Sequence, residues 1–106
     1  MIVSDTLSYP PSLTAADVSA LINDVVAKMQ AAYPDAGITC SGDSVLRKWT
    51  MTFHVGGESF NVLFSDPNHK DVLVTMDVAA KHMLVVSVAK AKIREEWKQA
   101  LSRSGR

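Results

Sequence analysis

Apolar residues recur at steps of three and four from Val18 through Leu21, Ile22, Val25, Val26 and Met29 to Tyr33, and beyond that point the period changes to two. The first pattern predicts a helix with one apolar face. Thr14 is a suitable N-cap, Asp17 an acidic partner for a capping box, and Pro34 stops the run before the turn Pro34-Asp35-Ala36-Gly37.

The second pattern is clearest in WTMTFHVGGESFNVLF, residues 49–64. Trp49, Met51, Phe53 and Val55 share one side of a strand; Thr50, Thr52 and His54 share the other. Gly56-Gly57 reads as a two-residue hairpin loop, because glycine takes positive φ freely at both central positions. That loop sets a register with Val55 opposite Glu58, Phe53 opposite Phe60, Met51 opposite Val62 and Trp49 opposite Phe64. A short strand at Ile38-Thr39-Cys40, with a turn at Ser41–Ser44, precedes a strand running from about Val45 to Val55. After the turn cluster of residues 65–70, Val72, Val74 and Met76 continue the apolar face in a fourth strand.

From Asp77 the pattern loses a single period. Ala79, Ala80 and the stretch from Ala89 to Leu101 favour helix, with Asp77 as a cap, and one long helix over 77–103 would span roughly 40 Å at about 1.5 Å per residue. The competing reading is a fifth strand over 82–88 followed by a helix from about 89, since Val85, Val86 and Val88 are β-branched. As a helix, its stripe toward the sheet would be Met76, Ala79/Ala80, Met83, Val86 and Ala89/Ile93. Leu84, Val85 and Val88 would then point elsewhere. Residues 1–11, ending in Pro10-Pro11, read as an N-terminal arm before a single domain over 12–106. The expected fold class is α+β, a two-layer sandwich of a helix, a four-stranded antiparallel meander and a long C-terminal helix.

Composition fits one ordinary domain: 106 residues, 47% hydrophobic and 21% charged. Net charge is formally zero, but unevenly spread. Residues 1–80 hold four basic and nine acidic side chains, and residues 81–106 hold seven basic and two acidic. Lys90, Arg94 and Lys98, extended by Arg103 and Arg106, form a basic ridge at steps of four. Such a ridge suits a nucleic-acid backbone, and equally the negative end of a helix dipole. Cys40 is the only cysteine, so no disulfide forms within the chain. Residues 1–11 have no basic start or long apolar run, so no secretory signal is expected, no apolar run reaches membrane length, and the default expectation is a cytoplasmic location.

Candidate chemistry is sparse. His54, His69, His82 and Cys40 lack the paired spacings of a zinc site, no nucleophile elbow or phosphate loop occurs, and the acidic residues are scattered through turns. No enzyme activity, metal or cofactor is expected. The leading expectation is a small protein-binding module (adaptor, chaperone-like protein or inhibitor of a larger partner) acting as a homodimer or burying residues 83–88 against a partner. Its candidate contact residues are Thr50, Thr52, His54 and Asn61 on the polar sheet face, with Leu84, Val85, Val88 and Trp97 on the last helix. The second expectation is a nucleic-acid-associated protein using Lys90, Arg94, Lys98 and Arg103.

Overall fold

In the computed structural model, which describes residues 1–104, the two periodicities become two layers. Helix α1 spans Ala15–Ala32 and buries Val18, Leu21, Ile22, Val25, Val26 and Met29. The Thr14 hydroxyl accepts from the Asp17 N–H at 3.2 Å, and the Asp17 carboxylate accepts from the Thr14 N–H at 2.9 Å. The reciprocal cap is present as its spacing implied. A 3₁₀ turn over Pro34–Ala36 follows.

Strands β2 (Thr39–Asp43), β3 (Lys48–Val55), β4 (Glu58–Ser65) and β5 (Asp71–Asp77) form the antiparallel meander. The β3–β4 register has all four expected pairs, and Gly56 and Gly57 both take positive φ, 59° and 78°. Phe53 and Phe60 stack across the hairpin with ring centroids 4.8 Å apart. The turn before β3 sits later than expected, at residues 44–47, because Asp43 accepts from the N–H groups of Val45 and Leu46 and ends β2 there. Gly42 lies within β2 for a steric reason: a Cβ added there would come 2.1 Å from Cδ1 of Trp49, its cross-strand neighbour.

Two expectations require correction, and they have one cause. Residues 2–8 are not an arm but strand β1 (Ile2–Ser8), antiparallel to β5 at the sheet edge, so the sheet has five strands in the order β1-β5-β4-β3-β2. Pairing of Ile2 with Asp77, and the bond from the Val78 N–H to the Met1 carbonyl, hold the chain extended past residue 77. Asp77 therefore belongs to a strand rather than capping a helix. A 3₁₀ turn over Ala80–His82 leads into α2 (Met83–Ser104), and residues 82–88 form no strand.

Alternation explains how β1 is held. The Met1 carbonyl and the Tyr9 N–H bond toward β5, so the even-numbered residues between them turn their backbone groups to the free edge. There the Ser8 carbonyl accepts from the Trp97 indole at 2.9 Å, the Thr6 carbonyl from Arg94 at 3.4 Å, and the Thr6 N–H bonds the Asp5 carboxylate at 2.9 Å. Asp5 faces the helix layer, where Arg94 grips it through two bonds, at 2.6 and 3.0 Å, and holds its carboxyl below the usual range. An inward charge on an edge strand is a known device against edge pairing.

The core lies between the sheet and both helices, with Val86, Ala89, Ile93, Trp97 and Ala100 as the buried stripe of α2. At its rim the Tyr9 hydroxyl donates to Asp66 at 2.7 Å, and Arg47 pairs with the same carboxylate, tying the end of β1 to the β4–β5 turn. Burial, reinforced by the Asp66 bond, pushes the Tyr9 phenol up to about 12.

Two outcomes follow from this arrangement. Gly57→Val should lower stability by at least ~1 kcal/mol in urea titration, because it forces a β-branched residue to positive φ. The raised Tyr9 phenol implies stability that is whole below its ordinary value of about 10 and falls as pH rises toward about 12. Tyr9→Phe should remove that alkaline slope and cost ~1–3 kcal/mol at neutral pH, since Asp66 loses a buried donor.

Candidate functional site

A helix offered one apolar seat can bury one stripe, and α2 carries more than one. Leu84, Val85 and Val88 fall off the stripe and are 81%, 44% and 52% exposed. They rise beside the 3₁₀ turn after α1 and the hairpin end of β3. Together these elements enclose an open groove of about 570 Å³, with Tyr33, Pro34 and Ala36 on one wall, Phe53 and Val55 below, and Leu84, Val85 and Val88 on the other. Asp35 is the one charged residue lining it. Val55 ends the apolar series of β3 and is itself exposed.

A second, polar hollow of about 520 Å³ adjoins this groove and shares Val55 and Val85 with it. Glu58 is one of its lining residues. Its carboxylate accepts from Lys81 at 2.8 Å and meets His82 through its other oxygen. Lys81 first, and His82 with it, hold the Glu58 carboxyl below the ordinary carboxylate range. The cluster is solvent-exposed and makes a polar border along the apolar groove rather than a buried reactive site.

The sequence-predicted residues divide among three places. Leu84, Val85 and Val88 come together in the groove. Thr50, Thr52, His54 and Asn61 lie on the opposite face of the sheet, where the Thr52 hydroxyl bonds the Asn61 side chain at 2.8 Å and His54 sits beside Gly37. Leu63 and Leu73 are diagonal neighbours on that face, each about half exposed, among hydroxyl side chains. Trp97 belongs to neither surface: it is 2% exposed and its indole closes the edge of β1, so it is not a partner anchor.

The basic ridge is also changed by its surroundings. Arg94 is committed to Asp5, and Arg103 pairs with Asp24 of α1 at 2.7 Å, whereas Lys90 is half-buried and Lys98 is exposed. Arg106 lies outside the described residues. Among the described residues no group of three or more His, Cys, Asp or Glu is placed to hold a metal ion, and no helix is long and apolar enough to cross a membrane.

Sequence reasoning missed the Tyr33–Ala36 wall and Val55. A signal for Val55 was available, because the hairpin register sets it opposite Glu58 while every other apolar residue of β3 faces an apolar one.

The division of α2 into a seated and an unseated stripe is measurable. Leu84→Ala should change stability by no more than ~0.5 kcal/mol, and Val86→Ala, at a fully buried position, should cost ~1–3 kcal/mol in the same denaturation assay.

Comparison of the chain with models of protein families, with curated proteins and with solved structures finds no match in any of the three, so the reading of this surface rests on its geometry and chemistry.

Proposed function

We propose that this chain is a small non-enzymatic protein-binding module whose groove, between the start of α2, the Tyr33–Ala36 turn and the end of β3, receives a short apolar segment of a partner protein. The observation that carries the reading is the exposure of Leu84, Val85, Val88 and Val55 around one concavity. Scattered single apolar residues are ordinary on a surface; four around a shared hollow with Phe53 at its base are a patch. An apolar centre bordered by the charged Glu58–Lys81–His82 cluster has the anatomy of a protein interface, in which the rim orients and the centre supplies affinity. At about 25 cal/mol per Å², covering these side chains is worth several kcal/mol before the costs of association. Adaptors, chaperone-like proteins and inhibitors of larger proteins act through contacts of this kind. The basic ridge gives the nucleic-acid reading less support, because Arg94 and Arg103 already hold carboxylates.

Selection from a displayed library of random peptides tests the groove directly. Enriched peptides should carry clustered large apolar residues, and their affinity should fall at least about tenfold, ~1.4 kcal/mol, for Val85→Lys while the far-ultraviolet spectrum is unchanged. Absence of enriched peptides, or binders indifferent to both Val85→Lys and Leu84→Lys, would overturn the assignment.

A further inference from the structure

The two edges of the sheet are treated unequally. On β1 the outward backbone groups of Thr6 and Ser8 are occupied by Asp5, Arg94 and Trp97. At the other edge the pairing of β3 decides which groups of β2 are free. A two-residue hairpin makes Val55 and Glu58 a hydrogen-bonded pair, so odd-numbered residues of β3 bond β4 and even-numbered ones bond β2. The bond from the Asp66 N–H to the Arg47 carbonyl agrees with this parity. Thr52, Thr50 and Lys48 therefore bond Thr39, Ser41 and Asp43, and the outward groups of β2 belong to Ile38, Cys40 and Gly42. The Ile38 carbonyl is taken by the Gln30 amide at 2.9 Å. What remains is a complete N–H and C=O pair at Cys40 and another at Gly42.

We infer that β2 is a homodimerisation edge, on which a second copy of this chain pairs its own β2 antiparallel about a two-fold axis through Ser41. In that register Cys40 of each copy faces Gly42 of the other, and all the free groups at both positions enter backbone hydrogen bonds. The alternative register, with Cys40 facing Cys40, would require the Ile38 carbonyl that Gln30 already holds.

Four further features select a second copy as the occupant. The residues at the edge are small (Cys40, Ser41 and Gly42), so another strand meets no bulky side chain. On the solvent face the register sets Thr39 opposite Asp43, a hydroxyl against a carboxylate, and no like charges meet. The flank of α1 above this edge, marked by Ser19 bonded to Trp49 and by Gln30 bonded to Ile38, continues through Asn23 and Ala27 and is uncharged. Val45 and Leu46, 88% and 67% exposed, sit on the turn just beyond β2, at the end of the pairing edge.

This dimer uses no residue of the α2 groove and stands apart from the peptide-binding reading. Scattering behind size exclusion should show a mass rising with concentration from that of one 11.5 kDa chain toward twice that value. Ser41→Lys, which sets two ammonium groups face to face on the axis, should move the midpoint at least about tenfold higher. Val85→Lys should not move it. The positive control is geometric. In a Cys40→Ser background, Ser41→Cys puts two thiols on a directly opposed pair within disulfide reach and should cross-link on mild oxidation. Thr39→Cys in the same background, facing Asp43, should not. A wild type that remains monomeric at high micromolar concentration, or a Ser41→Cys protein that oxidises no faster than Thr39→Cys, would overturn the inference and leave the edge to an extended segment of some other protein.

Discussion

The grip of α2 on the first strand is the constraint from which the rest of the molecule follows. Arg94 holds the Asp5 carboxylate through two bonds, and the Trp97 indole holds the Ser8 carbonyl. With β1 fixed, β5 is an interior strand whose Val72, Val74 and Met76 are covered on both sides. The same pairing keeps residues 77–79 extended and delays α2 until Met83. A helix that begins there seats Val86, Ala89, Ile93 and Trp97, and leaves Leu84, Val85 and Val88 outside the core. The exposed groove is thus a consequence of the edge lock.

Much of this was legible in the chain, and the division between what was and was not legible is physical. The α1 cap, the hairpin and its register are local, with partners within a few residues or across a two-residue loop, and periodicity reports them directly. The unseated stripe on α2 was legible for a related reason: at 3.6 residues per turn Leu84 and Val88 point away from the stripe of Val86 and Ile93, and Val85 falls at its margin beside Ala89. Strand β1 was not legible, because its core-facing side reads Val3, Asp5, Leu7 and Tyr9. A charge in that series breaks the alternation, and its justification lies at Arg94, far along the chain. The start of α2 was misplaced by the same omission, since helix propensity at 77–80 gave no hint of a strand partner at 1–3.

The candidate site shows the same limit. Surface chemistry could be read residue by residue, but its assembly could not. The hydroxyl face and the apolar helix residues look like one collection in sequence, and lie on opposite sides of the sheet. The basic residues at steps of four look like a continuous field, whereas Asp5 and Asp24 neutralise two of them from other elements. Trp97 looks like an anchor and serves as an internal strut. In each case the deciding partner is distant in sequence, which is information that periodicity does not carry.

The contact between Asp5 and Arg94 also joins two widely separated parts of the chain. A chain made from its N-terminus exposes β1 early, but the groups that fix it emerge among the last of the residues described. Without α2, Asp5 would be an uncompensated charge facing the core, and the outward carbonyls of Thr6 and Ser8 would lose the bonds they accept from it. The meander from β2 to β5 can close on α1 beforehand, since those contacts are nearer in sequence. Pairing of β1 with β5 therefore closes a longer loop, at a greater entropic cost, than any pairing within the meander.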